Sequence, residues 1–269
     1  MTTARLIPTA AGRSARAGRP DAPHPICPGT AKPKAELDHG ADSFSPVQIV
    51  FAVPPRHEVL RRLPRLVVGL ILCGVAFGLA VQADLGLDPW DVLHQGIADH
   101  IDMSIGNVSV LVGLVVLLGW IPLRERIGIG TVLNTIIIGL TMDLVMQVLP
   151  DADTAVLQWT MLVAGLVVAG PGIGLYIGAR LGPGPRDGIM TGVARRGPSI
   201  RLVRTLIELA ALTVGWLLGG TVGIGTILFA VTIGPNVQFW LERCDLGHPP
   251  GFDPDVDPQV DPDPTLAGV

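Results

Sequence analysis

Charge is scarce in this 269-residue chain, with Asp, Glu, Lys and Arg together at 16% of residues, and aromatics are scarcer still at 4%. A soluble domain carries roughly a quarter charged residues, so a chain this poor in charge lacks the surface that water requires. The shortage of aromatics, and the absence of any basic patch interleaved with them, excludes a nucleic-acid partner. Three cysteines, Cys27, Cys73 and Cys244, are too few and too scattered for a disulfide framework. No CxxC or Cys/His cluster is present to hold a metal, and Cys73 reads as a small buried hydrophobe in an apolar helix. HExxH and a nucleophile elbow are missing as well, and the six His are scattered. GPGIG, at 170–174, lies within a helix and no GK[ST] follows it. The sequence therefore points away from an enzyme, a cofactor and a metal site.

What the chain has is apolar length. Mean hydropathy is +0.52, 34 residues are Gly, and the charge is confined to the two tails and a few clusters. The runs left between them are long enough to cross a bilayer. Six spans are expected, at 66–83, 107–123, 128–149, 155–178, 200–218 and 223–241. Two polar stretches, 88–101 and 184–196, are unsuited to facing lipid on all sides. Residues 1–58 are rich in Pro, Ala, Arg and Gly without apolar periodicity and read as a disordered arm. Residues 246–269 contain DPDVDPQVDPDP, where Pro and like charges oppose regular structure, and read as a disordered acidic tail. With the N-terminus in the cytoplasm, every one of the 19 Lys and Arg falls on the inner side. The positive-inside rule thus predicts a plasma-membrane protein with both termini cytoplasmic.

The chain also repeats itself. Residues 66–96, LVVGLILCGVAFGLAVQADLGLDPWDVLHQG, align without a gap on 162–192, LVAGLVVAGPGIGLYIGARLGPGPRDGIMTG. Gly69, Gly74, Gly78, Gly86, Pro89, Asp91 and Gly96 fall on Gly165, Gly170, Gly174, Gly182, Pro185, Asp187 and Gly192. GIGT recurs at 128–131 and 223–226. Residues 59–150 and 151–245 are thus two membrane repeats of three spans each. An odd number of spans obliges the second copy to enter the membrane in the opposite sense. The expected fold class is all-α: six transmembrane helices as two inverted three-helix repeats, each with a short re-entrant or interfacial helix. Inverted repeats of this kind are common in transporters, with the site at the repeat interface.

Two half-motifs, LGLDPWD at 85–91 and LGPGPRDG at 181–188, carry the most distinctive chemistry. Gly86, Pro89, Gly182 and Pro185 turn the chain, and Asp91 and Asp187 stand near the start of a short helix, where a carboxylate caps free N–H groups or helps to face a solute. The GIGT glycines Gly128, Gly130, Gly223 and Gly225 complete the structural motif. Candidate residues for a solute or ion site are Asp88, Trp90, Asp91, Arg186, Asp187, Asn134 and Glu208. Trp90 reads equally as an interfacial anchor, and Glu208 as the i,i+4 partner of Arg204. Asp143 is the other acid within a span, and Pro171 is expected to kink or break its helix.

At LGLDPWDVLHQG, GIGTVLN, LGPGPRDGIMTG and GIGT, the chain resembles the YczE/YyaS/YitT family of bacterial integral membrane proteins, in its YczE-like branch. The resemblance covers about residues 60–243 and implies a bacterial plasma-membrane protein without supplying a substrate, a cofactor or a catalytic residue. Two functions remain open: a transporter or channel for a small solute or ion at the repeat interface, and a non-transporting membrane scaffold or accessory protein. The partners implied are the lipid bilayer, the unknown solute, and a second copy or a membrane-associated protein.

Overall fold

The computed structural model describes residues 56–123, 125 and 127–247. Of the arm expected to be disordered at 1–58 and the tail expected to be disordered at 246–269, residues 1–55 and 248–269 lie outside the described residues, whereas 56–58 are helical. Eight helices follow one another: α1 Arg56–Ala83, α2 Pro89–Ile101, α3 Ile105–Leu123, α4 Ile129–Val148, α5 Ala155–Gly178, α6 Pro185–Ala194, α7 Ile200–Leu217 and α8 Ile224–Cys244. The described residues contain no strand, so the all-helical class holds. Five helices, α1, α3, α4, α5 and α8, are long and apolar enough to cross a membrane. Charge separates α7 from them: Arg201, Arg204 and Glu208 lie within its 18 residues.

The polar stretches form the short helices α2 and α6, each begun by a proline at its first position, where the missing N–H costs no hydrogen bond. Pro171 does not break α5, which runs continuously from Ala155 to Gly178. Neighbouring helices pack closely on both sides of the proline: a Cβ at Gly170 would meet Asn236 at 2.1 Å, and one at Gly172 would meet the Cys73 backbone at 2.9 Å. Close neighbours compensate for a lost backbone bond in this way.

At the centre α1 lies against α5, flanked by α4 on α1 and α8 on α5. Glycines set this approach. A Cβ at Gly69 would stand 2.6 Å from the Tyr176 nitrogen, and one at Gly165 would stand 2.8 Å from the Ala76 carbonyl. Gly74 and Gly78 of α1 and Gly170, Gly174 and Gly178 of α5, at small-xxx-small spacing, are spent on packing too: a Cβ at Gly74 would meet Thr141 at 2.5 Å, and one at Gly174 would meet Trp240 at 2.9 Å. Leu66, Leu70, Cys73, Phe77, Leu162 and Tyr176 fill the core between the two helices. Arg62 is buried: it pairs with Glu58 and donates to the carbonyls of Ala179 and Gly247. With the bond from the Leu246 N–H to the Gly178 carbonyl, this fastens 246–247 to the helices.

The helix pairs α3–α4 and α7–α8 differ. α4 packs on α3 through Gly139, where a Cβ would lie 2.5 Å from the Gly106 carbonyl. Asp143 ties the pair by accepting from the Ser104 hydroxyl at 2.6 Å and the Gly106 N–H at 2.8 Å. Asp143 is thus partnered, at the free N–H groups that open α3. α7 and α8 barely touch, and a Cβ at Gly234, the repeat counterpart of Gly139, would meet nothing within 4 Å. Gly139→Ala is therefore expected to cost about 1–3 kcal/mol by overpacking. Gly234→Ala should be neutral or stabilise by up to about 1 kcal/mol through helix propensity. Unfolding midpoints of the two purified variants test this contrast, and equal losses would refute it.

Candidate functional site

Both hairpins are built the same way. Asp84 and Arg180 end α1 and α5 in the left-handed region, with φ of 49° and 54°, and Gly86 and Gly182 follow at 109° and 128°. The second pair needs glycine, because a side chain is strained at these angles and because the backbone of another element lies against it. A Cβ on Gly86 would stand 2.5 Å from the Gly223 nitrogen, and one on Gly182 would stand 2.9 Å from the Gly128 Cα.

The GIGT segments receive these turns crosswise. The Gly225 N–H donates to the Leu85 carbonyl at 2.7 Å, and the Gly130 N–H donates to the Leu181 carbonyl at 2.9 Å. Each GIGT thus binds the hairpin of the other half of the chain. Thr131 adds a bond from its hydroxyl to the Pro183 carbonyl at 2.7 Å. The structural roles of Gly86, Gly182, Gly128, Gly130, Gly223 and Gly225 are accordingly visible, and Pro89 and Pro185 open the helices that follow.

The tips of the two hairpins meet. Asp88 Oδ1 accepts from the Asp91 N–H at 2.7 Å and so caps α2, while its Oδ2 accepts from Arg186 Nη1 at 3.2 Å. Asp88, rather than Asp91, is the capping residue. The position matching it in the second hairpin is Gly184, which has no side chain to cap with. Asp91 instead is buried, with Oδ1 3.1 Å from His94 Nδ1. Asp187 accepts from the Tyr176 hydroxyl at 3.0 Å.

Beside this junction lies a small, half-open cavity of about 60 Å³. Phe77 of α1 and Val112 and Val116 of α3 give it an apolar side. Asp91, His94, Ser109, Asn134, Thr135 and Arg186 give it a polar one, and Trp90 stands between. The Arg186 guanidinium lies 5.6 Å from the Phe77 ring centroid, within cation–π range. The Trp90 indole N–H is buried without an acceptor among the described residues. No group of three or more His, Cys, Asp or Glu side chains converges as a metal site among the described residues.

Of the residues singled out by sequence, Trp90, Asp91, Asn134 and Arg186 line the cavity; Asp88 does not line it but pairs with Arg186, and Asp187, also outside the lining, accepts from Tyr176. Glu208 is elsewhere: it pairs with Arg204 at 2.9 Å on α7, with 34% of its side chain exposed. Its charge is offset one helical turn away, and it does not reach the cavity. Phe77, His94, Ser109 and Thr135 were not among the sequence candidates. His94 alone carried a local signal, since it stands one helical turn after Asp91 on the same face.

Comparison with known proteins identifies relatives of this chain. A protein of Haemophilus influenzae, printed as "Uncharacterized protein", is 41% identical over 178 residues, covering 66% of this chain and 82% of its own. The "Uncharacterized membrane protein YczE" of Bacillus subtilis is 32% identical over 192 residues, covering 70% of this chain and 89% of its own. The "Uncharacterized protein YyaS" of the same organism is 25% identical over 168 residues, with 60% and 83% covered. No solved structure matches. The model of a family of unknown function, DUF6198, matches residues 60–242, the same stretch that carries the hairpins and both GIGT segments. The chain belongs to that family, and its kinship with YczE and YyaS, read from those motifs, holds.

Proposed function

We propose that this membrane protein carries a small solute or ion through the cavity beside the two hairpin tips, as a non-enzymatic transporter or channel of the bacterial plasma membrane. The observation that carries the reading is the Asp88–Arg186 contact, because it brings the starts of α2 and α6 together at a cavity lined by their own side chains. Two helix starts facing one space concentrate unused N–H groups and positive dipole ends there.

In this reading α7 is a sixth crossing, in which Glu208 is neutralised by Arg204. The two halves are then inverted copies, both termini are cytoplasmic, and α2 and α6 enter the membrane from opposite faces. The crosswise docking of Leu85 on Gly225 and of Leu181 on Gly130 supports this, since reciprocal contacts are what a two-fold relation in the membrane plane produces. The alternative, a scaffold or accessory protein, is favoured by one observation: the repeated glycines are largely occupied by backbone packing.

Two measurements separate these readings. Single cysteines at positions 99 and 195, in a chain otherwise free of cysteine, are expected to react with an impermeant reagent from outside and from inside respectively. Labelling of both from one side sinks the inverted arrangement. Uptake of metabolite mixtures into liposomes should occur with the native chain and be lost in Asp91→Asn and Asp187→Asn while both variants stay folded. Absence of any flux, together with a stable partner co-purifying on the surface around Arg195 and Arg196, would establish the scaffold instead.

A further inference from the structure

We infer that the cavity binds a small organic zwitterion, with its ammonium end at Asp91 and its carboxylate end on Arg186. This deepens the solute-site reading above and rests on it. Two features of the cavity carry it: the balance of fixed charge and the unused capacity of the guanidinium.

Three carboxylates, Asp88, Asp91 and Asp187, surround one guanidinium, Arg186, and His94 can add at most one positive charge. Negative charge is in excess, in a space where burial makes it costly. A simple anion would enlarge that excess, whereas a ligand with a positive group relieves it. The positive group is not matched by a cage for a metal ion, because the acids do not converge on one point among the described residues. Asp91 and the Trp90 ring, both on the cavity wall, offer a carboxylate and an aromatic face. That pairing suits an ammonium.

At the other end, Arg186 makes one hydrogen bond, from Nη1 to Asp88, so most of its five donors are unspent among the described residues. Its side chain is 31% exposed although it stands at the hairpin junction. A planar fork with free donors matches a carboxylate in bidentate geometry. A phosphate would bring a second negative charge beside Asp88 and Asp91.

Binding by the purified full-length chain in detergent tests this without requiring flux. Glycine, β-alanine and γ-aminobutyrate are titrated against propionate and propylammonium, with thermal unfolding as the readout. At least one zwitterion is expected to bind about tenfold or more tightly than either fragment, the value of one charge-assisted contact. Asp91→Asn should weaken the zwitterion and propylammonium and spare propionate. Arg186→Lys, which keeps the charge and loses the fork, should weaken the zwitterion and spare propylammonium. A fragment that binds as tightly as the best zwitterion overturns the inference, and so does no binding by any zwitterion to folded protein. Liposome uptake separates the two ideas: zwitterion binding without uptake keeps the ligand class and removes transport, and uptake of propionate or propylammonium alone keeps transport and removes the zwitterion.

Discussion

Arg186→Gln is expected to destabilise the protein by about 3 kcal/mol or more and to abolish solute uptake. Removing one partner of this part-buried pair leaves the other charge uncompensated, and Asp88, with 14% of its side chain exposed, has little water to replace the guanidinium. Asp88→Asn should be milder, because asparagine caps a helix about as well as aspartate and keeps the bond to the Asp91 N–H. The informative variant is the double one. With both charges gone, Arg186→Gln/Asp88→Asn is expected to recover at least about half of the stability lost in Arg186→Gln, a coupling of the size found for contacting pairs. Uptake should stay absent. Chemical unfolding of the three variants measures the coupling, and liposome flux measures the rest. Additive losses in stability would mean that the contact does not hold the hairpins together. Recovered flux in the double variant would mean that Arg186 serves structure alone.

Gly86→Ala is the second large effect, at about 3–4 kcal/mol. A left-handed φ costs a non-glycine residue about 1–2 kcal/mol, and overpacking adds about 1–3, since the new methyl would lie 2.5 Å from the Gly223 nitrogen. The nearest two atoms are Gly223 backbone, which cannot turn aside as a flexible side chain would. Gly182→Ala has the same conformational strain and a slightly looser contact, 2.9 Å to the Gly128 Cα. It should be destabilising by a similar or smaller amount. Gly219→Ala, at φ 97° with nothing within 4 Å, isolates the strain from the clash and should cost only about 1–2 kcal/mol. If Gly86→Ala costs no more than Gly219→Ala, the crosswise docking of hairpin on GIGT is not holding the structure.

Turn chemistry is local, which is why the hairpins were legible in the sequence. Gly86, Pro89, Gly182 and Pro185 act through φ and a missing N–H, properties of the residues themselves, and α2 and α6 begin at those prolines. Five of the six expected spans were legible for the same reason, since composition alone makes α1, α3, α4, α5 and α8 insoluble in water, while the charge on α7 sets the stretch at 200–218 apart from them. The cavity was only half legible. Trp90, Asp91 and Arg186 sit in the motifs, and Asn134 stood out, with Asp143, as a polar residue of its span. Phe77, Ser109 and Thr135 reach the cavity only through how α1, α3 and α4 are rotated against their neighbours, and that rotation is a tertiary property. Asp143 and Pro171 show the same limit. An acid in a span can serve a solute or close a helix start, and a proline can break a helix or be held in line. The choice lies with residues distant in sequence, Ser104 and Gly106 for the first and Cys73 and Asn236 for the second.

The exchange of hairpins between halves bears on how the chain is finished during synthesis. The carbonyl of Leu85 is satisfied by Gly225, which belongs to the last helix. Until α8 leaves the ribosome, the first hairpin therefore lacks the N–H that this carbonyl accepts in the finished protein. In the other direction the wait is short: Gly130 is already in place when Leu181 appears. Maturation is thus uneven in time, with the second hairpin able to dock at once and the first held open to the end. A nascent chain stopped before residue 223 should accordingly be cut by protease at 84–88, and the completed chain should resist.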